Sequence, residues 1–144
     1  MHPLLLAAYA VLFVYAENIS EVLPGDLFGP LLVALLASAG VLAVCALLFR
    51  DLRRGAVLAT GFVLAFAFFG HLGSQLDEAV FGDAVQLAMW TAFVIATGVY
   101  AARARGSLGR VTAALNAFAL VLVVFSLVTI VPAETGRVAR ASEG

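Results

Sequence analysis

At 144 residues, 64% of them hydrophobic and only 12% charged, the chain is one domain at most. It departs far from the soluble balance of about half apolar and a quarter charged. A formal net charge of -1 and a mean hydropathy of +1.10 give no basic face of the kind nucleic-acid binders present and point to an integral membrane protein. Every basic side chain is arginine; there is no lysine.

The first apolar run, Pro3 to Ala16, is short against the ~20 residues needed to cross hydrocarbon. Tyr15, Glu17 and Asn18 extend it by sitting at headgroup depth, giving a first span over 3–19. It lacks the basic segment that opens a cleaved signal peptide, and its A-x-A, Ala8 to Ala10, lies inside the apolar run, so a retained helix is expected. Residues 20–29, with Glu21, Pro24, Asp26 and two glycines, read as a helix-breaking acidic loop.

Pro30, suited to a first helical position, opens an uncharged span over 30–49. Its sole cysteine, Cys45, allows no internal disulfide and reads as a small buried apolar residue. Arg50, Asp51, Arg53, Arg54 and Gly55 read as a basic turn before a third span over 56–72, whose Phe62, Phe66 and Phe69 recur at helical spacing as a lipid or packing face. His71, Gln75, Asp77, Glu78 and Asp83 make a second acidic stretch. A fourth span over 84–102 follows, then a basic turn with Arg103, Arg105 and Arg110, then a fifth span over 111–131 stopped by Pro132. The mixed-charge segment 133–144 reads as a flexible tail.

The expected fold class is therefore all-α, a polytopic membrane bundle of five transmembrane helices. Arg50, Arg53 and Arg54 in one turn and Arg103, Arg105 and Arg110 in the other act as topology determinants, while the remaining two loops hold no arginine. The positive-inside rule then puts the amino terminus in the cytoplasm and the carboxy terminus outside. The acids at 17, 21, 26, 77, 78 and 83 fall together on the outer face.

No ionisable group other than Cys45 occupies the centre of spans two to five, which disfavours a proton or ion pathway. Small residues four apart, Ala34 with Ser38, Ala92 with Ala96 and Gly98 with Ala102, suggest close helix packing. His71 lacks partners at metal-ligand spacing, and the outer acids match no cation loop. Ser74 near His71 forms no nucleophile elbow. Asn18 and Asn116 are expected to hydrogen-bond between helices. No catalytic, cofactor-binding or metal residue is assigned, and no enzyme activity is expected.

Four motifs, VLFVYAENISEV at 11–22, RDLRRGAVLATG at 50–61, FFGHL at 68–72 and RVTAALNAFALVL at 110–122, together resemble the multi-span amino-terminal membrane region of bacterial sulfatase-like envelope proteins of the alkaline-phosphatase superfamily. The resemblance implies an anchor for an extracytoplasmic metal-dependent domain and a structural role for Asn18, Glu21, His71 and Asn116. Glu17 departs from the family, where histidine or arginine is more usual. The sequence stops shortly after Pro132, without the catalytic domain, so the family's activity is not carried over. The expectation is a non-catalytic protein of the inner membrane, in contact with the lipid bilayer, that anchors or scaffolds an extracytoplasmic hydrolase or another membrane-complex partner. The alternatives are a small transporter or cation-binding protein using the outer acids and His71, and an accessory subunit of a larger complex.

Overall fold

A computed structural model describes residues 1–75, 82–104 and 108–142, with side chains described for 1–69, 82–104 and 108–137. Among these residues every element is helical: α1 (His2–Glu17), a short 3-10 turn (Pro24–Leu27), α2 (Phe28–Phe49), α3 (Leu52–Gln75), α4 (Asp83–Arg103) and α5 (Leu108–Ser142). Four of them, α2 to α5, are long and apolar enough to cross a membrane. With 16 residues, α1 reaches ~24 Å at 1.5 Å per residue, short of a ~30 Å hydrocarbon core.

Contacts between helix ends give the directions. At one end His2 of α1 lies against Ala56 of α3 and Asn116 of α5; at the other, Tyr15 of α1 packs on Ile130 and bonds Glu134. Thus α1, α3 and α5 run the same way. Cys45 of α2 packs on Leu58 and Ala101 of α4 on Val57, so α2 and α4 run the opposite way. The central helix is α3, which touches each of the other four.

The interior mixes small residues with a few large ones such as Leu12, Leu58 and Ile130. Ala59, Ala101 and Ala119 are fully buried, joined by Ser38, Cys45 and Thr60, whereas Phe66, Leu47 and Phe125 point outward. Lipid is as apolar as leucine and gives no drive to bury it, so close backbone approach decides which residues face inward. The closest approach is at Gly55, where a Cβ would lie 2.5 Å from both Cα and N of Ala46. Beside it, Gly61 meets Thr97, whose side chain would be 3.1 Å from an added Cβ. Of the small-residue pairs expected to pack, Ser38 is buried, while Ala92 and Ala96 face outward.

Two boundaries depart from expectation. Arg53, Arg54 and Gly55 are not in a turn but in the first turn of α3, because Asp51 caps it: its Oδ1 accepts the backbone N–H of Arg53 at 2.7 Å and of Arg54 at 3.2 Å. A carboxylate at that position satisfies N–H groups that have no partner within the helix. The turn before it is closed by Arg50 in a left-handed conformation, φ 50°. At the other extreme, Pro132 does not stop α5, which continues to Ser142, so residues 133–142 are helix and not a loose tail. The proline removes one backbone donor, and the segment beyond it is held by side-chain contacts with the α1–α2 connection.

Candidate functional site

The two ends of the bundle differ in chemistry. At the end where α1, α3 and α5 begin, Arg54 Nη1 donates to the carbonyl of Ala102 at 3.3 Å, and Arg53 lies beside Gly109, 3.9 Å from where its Cβ would be. The two arginine-bearing connections therefore share one end, as their composition suggested. Arg103 closes α4 and Arg110 lies in the first turn of α5; Arg105 is outside the described residues. Asp51, pinned by the Arg54 and Arg53 N–H groups, has its carboxyl held below the usual carboxylate range.

Just inside this end His2 is fully buried with neither ring nitrogen bonded to protein. Its ring sits against the Asn116 amide and the Ala56 backbone but outside hydrogen-bonding geometry, and Asn116 Oδ1 and Thr112 Oγ1 are likewise buried without a protein partner. Asn116 thus makes a close polar approach to His2 across α1 and α5. His2, near the start of the chain, carries no sequence signal of its own. That Pro3 and His2 start a helix running beside α5 is a tertiary fact without a local signature.

At the opposite end Tyr15 Oη donates to Glu134 Oε1 at 2.6 Å. Arg137 donates through Nη1 to the Val22 carbonyl at 3.0 Å and through Nη2 to the Ile19 carbonyl, and pairs with Glu134 at 3.4 Å. Two loop carbonyls that α1 leaves open are satisfied by one guanidinium, whose fork suits paired acceptors. This clamp was also missed, since Glu134 and Arg137 lie in the stretch read as tail; Pro132 hid the continuing helix. Asn18 does not bridge helices as expected: its Nδ2 donates to the Val14 carbonyl at 2.8 Å in its own helix, which occupies an end carbonyl of α1 locally. The backbone of α3 continues through His71, whose side chain, like residues 77 and 78, falls outside the described set.

Between the clamp and the middle of the bundle, α1, α2, α3 and α5 part to leave a cleft of about 1180 Å³, somewhat above ligand-pocket sizes of ~300–1,000 Å³. Its walls are apolar, with Phe13, Phe62, Phe66 and Phe118 among them, and its mouth carries Asn18, Glu21 and Asp26. Asp26 accepts the N–H of Leu23 at 3.2 Å; Glu21 has no side-chain partner among the described residues. Of the sequence-selected polar residues, the structure thus brings Asn18 and Glu21 to one cleft and leaves Asn116 at the far end. No group of three histidine, cysteine or acidic side chains able to hold a metal forms among the described residues.

Comparison with known proteins adds no relative: no family model, curated protein or solved structure matches the chain.

Proposed function

We propose that this is a multi-pass protein of the inner membrane that crosses the bilayer five times, with its amino terminus in the cytoplasm. On this reading it is a non-catalytic module anchoring or scaffolding a partner on the outer side. The observation that carries the reading is α5. At 35 residues it is ~52 Å long, far more than the ~30 Å of hydrocarbon. Its last turns lie at the end opposite Arg53, Arg54 and Arg103, where Arg137 and Glu134 tie the helix to the α1–α2 connection. A helix so clamped is a rigid stalk through which a bundle can hold something outside. The parallel run of α1 with α3 and α5 supports counting α1 as a fifth crossing, its short apolar length completed by interfacial Tyr15 and Asn18. The resemblance to sulfatase-like membrane regions favours an envelope hydrolase as the partner.

Topology is tested with single cysteines in a Cys45→Ala background and a membrane-impermeant maleimide on intact cells. Glu17→Cys and Glu21→Cys are expected to label, while Arg53→Cys and Arg103→Cys stay protected until the cells are opened. Labelling of the two pairs from the same side removes the topology. The anchoring role is tested by a photocrosslinker at Thr135, which should capture a protein with an extracytoplasmic domain that a crosslinker at Arg53 does not reach. Equal capture from both positions defeats it.

A further inference from the structure

We propose that the cleft between α1, α2, α3 and α5 binds a long-chain amphiphile with a cationic amine head, taken from the outer leaflet. The orientation proposed above enters only in the choice of leaflet; the ligand chemistry follows from the cleft itself.

The mouth defines the head. Glu21 and Asp26 line it, and Glu21 is unpaired among the described residues. The nearest described cation, Arg137, is already committed to the Ile19 and Val22 carbonyls and to Glu134. Two carboxylates without a counter-charge of their own among the described residues, beside an apolar channel, attract an ammonium group and repel a sulfate or phosphate. Asn18 spends its Nδ2 on Val14, leaving its carbonyl oxygen as an acceptor for the same head.

The depth defines the tail. Along α2 the lining descends from Pro30 past Ala34 and Ser38 to Val41, roughly 16 Å at 1.5 Å per residue, about the half-thickness of a ~30 Å hydrocarbon core. An alkyl chain with its head at the mouth ends near the midplane.

Ser38 is the second, independent sign of an occupant. Thr60, Thr97, Ser126 and Thr129 each bond the carbonyl four residues back in their own helix, the usual way a helix silences a hydroxyl in an apolar setting. Ser38, like Thr112 at the far end, does not: it is 3% exposed, its Oγ has no partner, and, unlike Thr112, it lines the cleft. An unbonded buried hydroxyl is costly. It lies roughly 12 Å below Pro30, level with the middle of the tail that the depth defines.

The test uses the full chain in a non-ionic detergent, titrated with oleylamine, oleyl alcohol and oleyl sulfate, three probes with one tail and different head charges, and read by native mass spectrometry. One bound oleylamine is expected, with Kd about tenfold below that of oleyl alcohol and no saturable binding of oleyl sulfate. Glu21→Gln with Asp26→Asn should bring oleylamine to the affinity of the alcohol without changing the alcohol itself; both residues are exposed, so the fold is not at stake. Ala37→Phe, placed at an outward-facing lining position, should weaken all three probes. Equal binding of amine and sulfate overturns the proposal. So does a double variant that keeps the amine preference, or an Ala37→Phe protein that is folded and binds as before. Because the detergent sample has no sidedness, failure here is separate from failure of the topology.

Discussion

The α2–α3 seam and the α1 flank are packed from the same stock of residues, yet one is closed and the other open. At the seam, Gly55 lets the backbone of α3 touch that of α2 at Ala46, and Cys45, Leu58 and Ala59 fill what remains. On the flank, Phe13, Phe62 and Phe66 line a cleft instead of filling it. Without a hydrophobic drive between helices, contact follows from whether backbones can approach, as they do at Gly55. The flank is held together at its rim by polar bonds, from Tyr15 to Glu134 and from Arg137 to the loop carbonyls.

The comparison breaks most sharply at Gly55. A side chain there starts 2.5 Å from Ala46 main-chain atoms, which no rotamer can relieve, so Gly55→Leu should cost about 3 kcal/mol or more and in practice abolish recovery of folded protein. The matched change on the open flank, Ala37→Leu, adds bulk beside a cleft and should stay within about 0.5 kcal/mol. Reversible unfolding by titrating SDS into mixed micelles measures both. Similar losses for the two would mean that the flank is as tightly packed as the seam.

A smaller effect is expected at the rim clamp. Arg137→Ala leaves the Ile19 and Val22 carbonyls without their donor and Glu134 without its cation, worth about 2 kcal/mol for charge-assisted bonds. Tyr15→Phe, which deletes only the bond to Glu134, should cost about 1 kcal/mol. Hydrogen exchange should then show protection lost in α5 beyond Pro132 and in the α1–α2 connection, while the α2–α3 seam is unchanged. Loss spread evenly through the bundle would show that the flank and the seam fold as one unit.

The seam and the flank were unequally legible in the sequence. The all-helical class, the four long apolar elements and the shared location of both arginine connections follow from runs of uncharged residues and from where charge interrupts them, because hydropathy is a local property. Ser38 as a buried small residue was legible too, from its spacing to Ala34. Ala92 and Ala96 have the same spacing and face outward, since periodicity gives a stripe but not the neighbour it meets. The Gly55 contact read only as turn composition, because its partner Ala46 is set by the geometry of the reversal. Glu134 and Arg137 were hidden behind Pro132, whose effect depends on whether the residues after it find tertiary partners. Of the cleft, the acids at its mouth were visible as an outer acidic cluster, but the cavity is a gap between four helices and has no sequence signature.

The last and smallest effect lies at the turn into the seam, where Asp51 caps α3. The N–H groups of Arg54 and Arg53 hold its carboxyl below the usual carboxylate range. The sign follows directly: the folded state binds this proton less readily than the unfolded chain, so the cap's contribution is fully present above the unfolded value of about 3.9 and is lost as pH falls through the lower folded value. Asp51→Asn keeps an oxygen that can accept the same two N–H groups, but it does not titrate. Thermal unfolding in detergent should therefore give the wild type a slightly higher Tm at neutral pH, with the gap to Asp51→Asn closing as the solution is acidified below pH 4. Asp51→Ala should lie below both at neutral pH, because asparagine is a good cap and alanine a poor one. If the gap between wild type and Asp51→Asn is the same at all pH values, the carboxylate charge contributes nothing to the cap. The reversal into the seam would then rest on the Gly55 contact and the left-handed Arg50 alone.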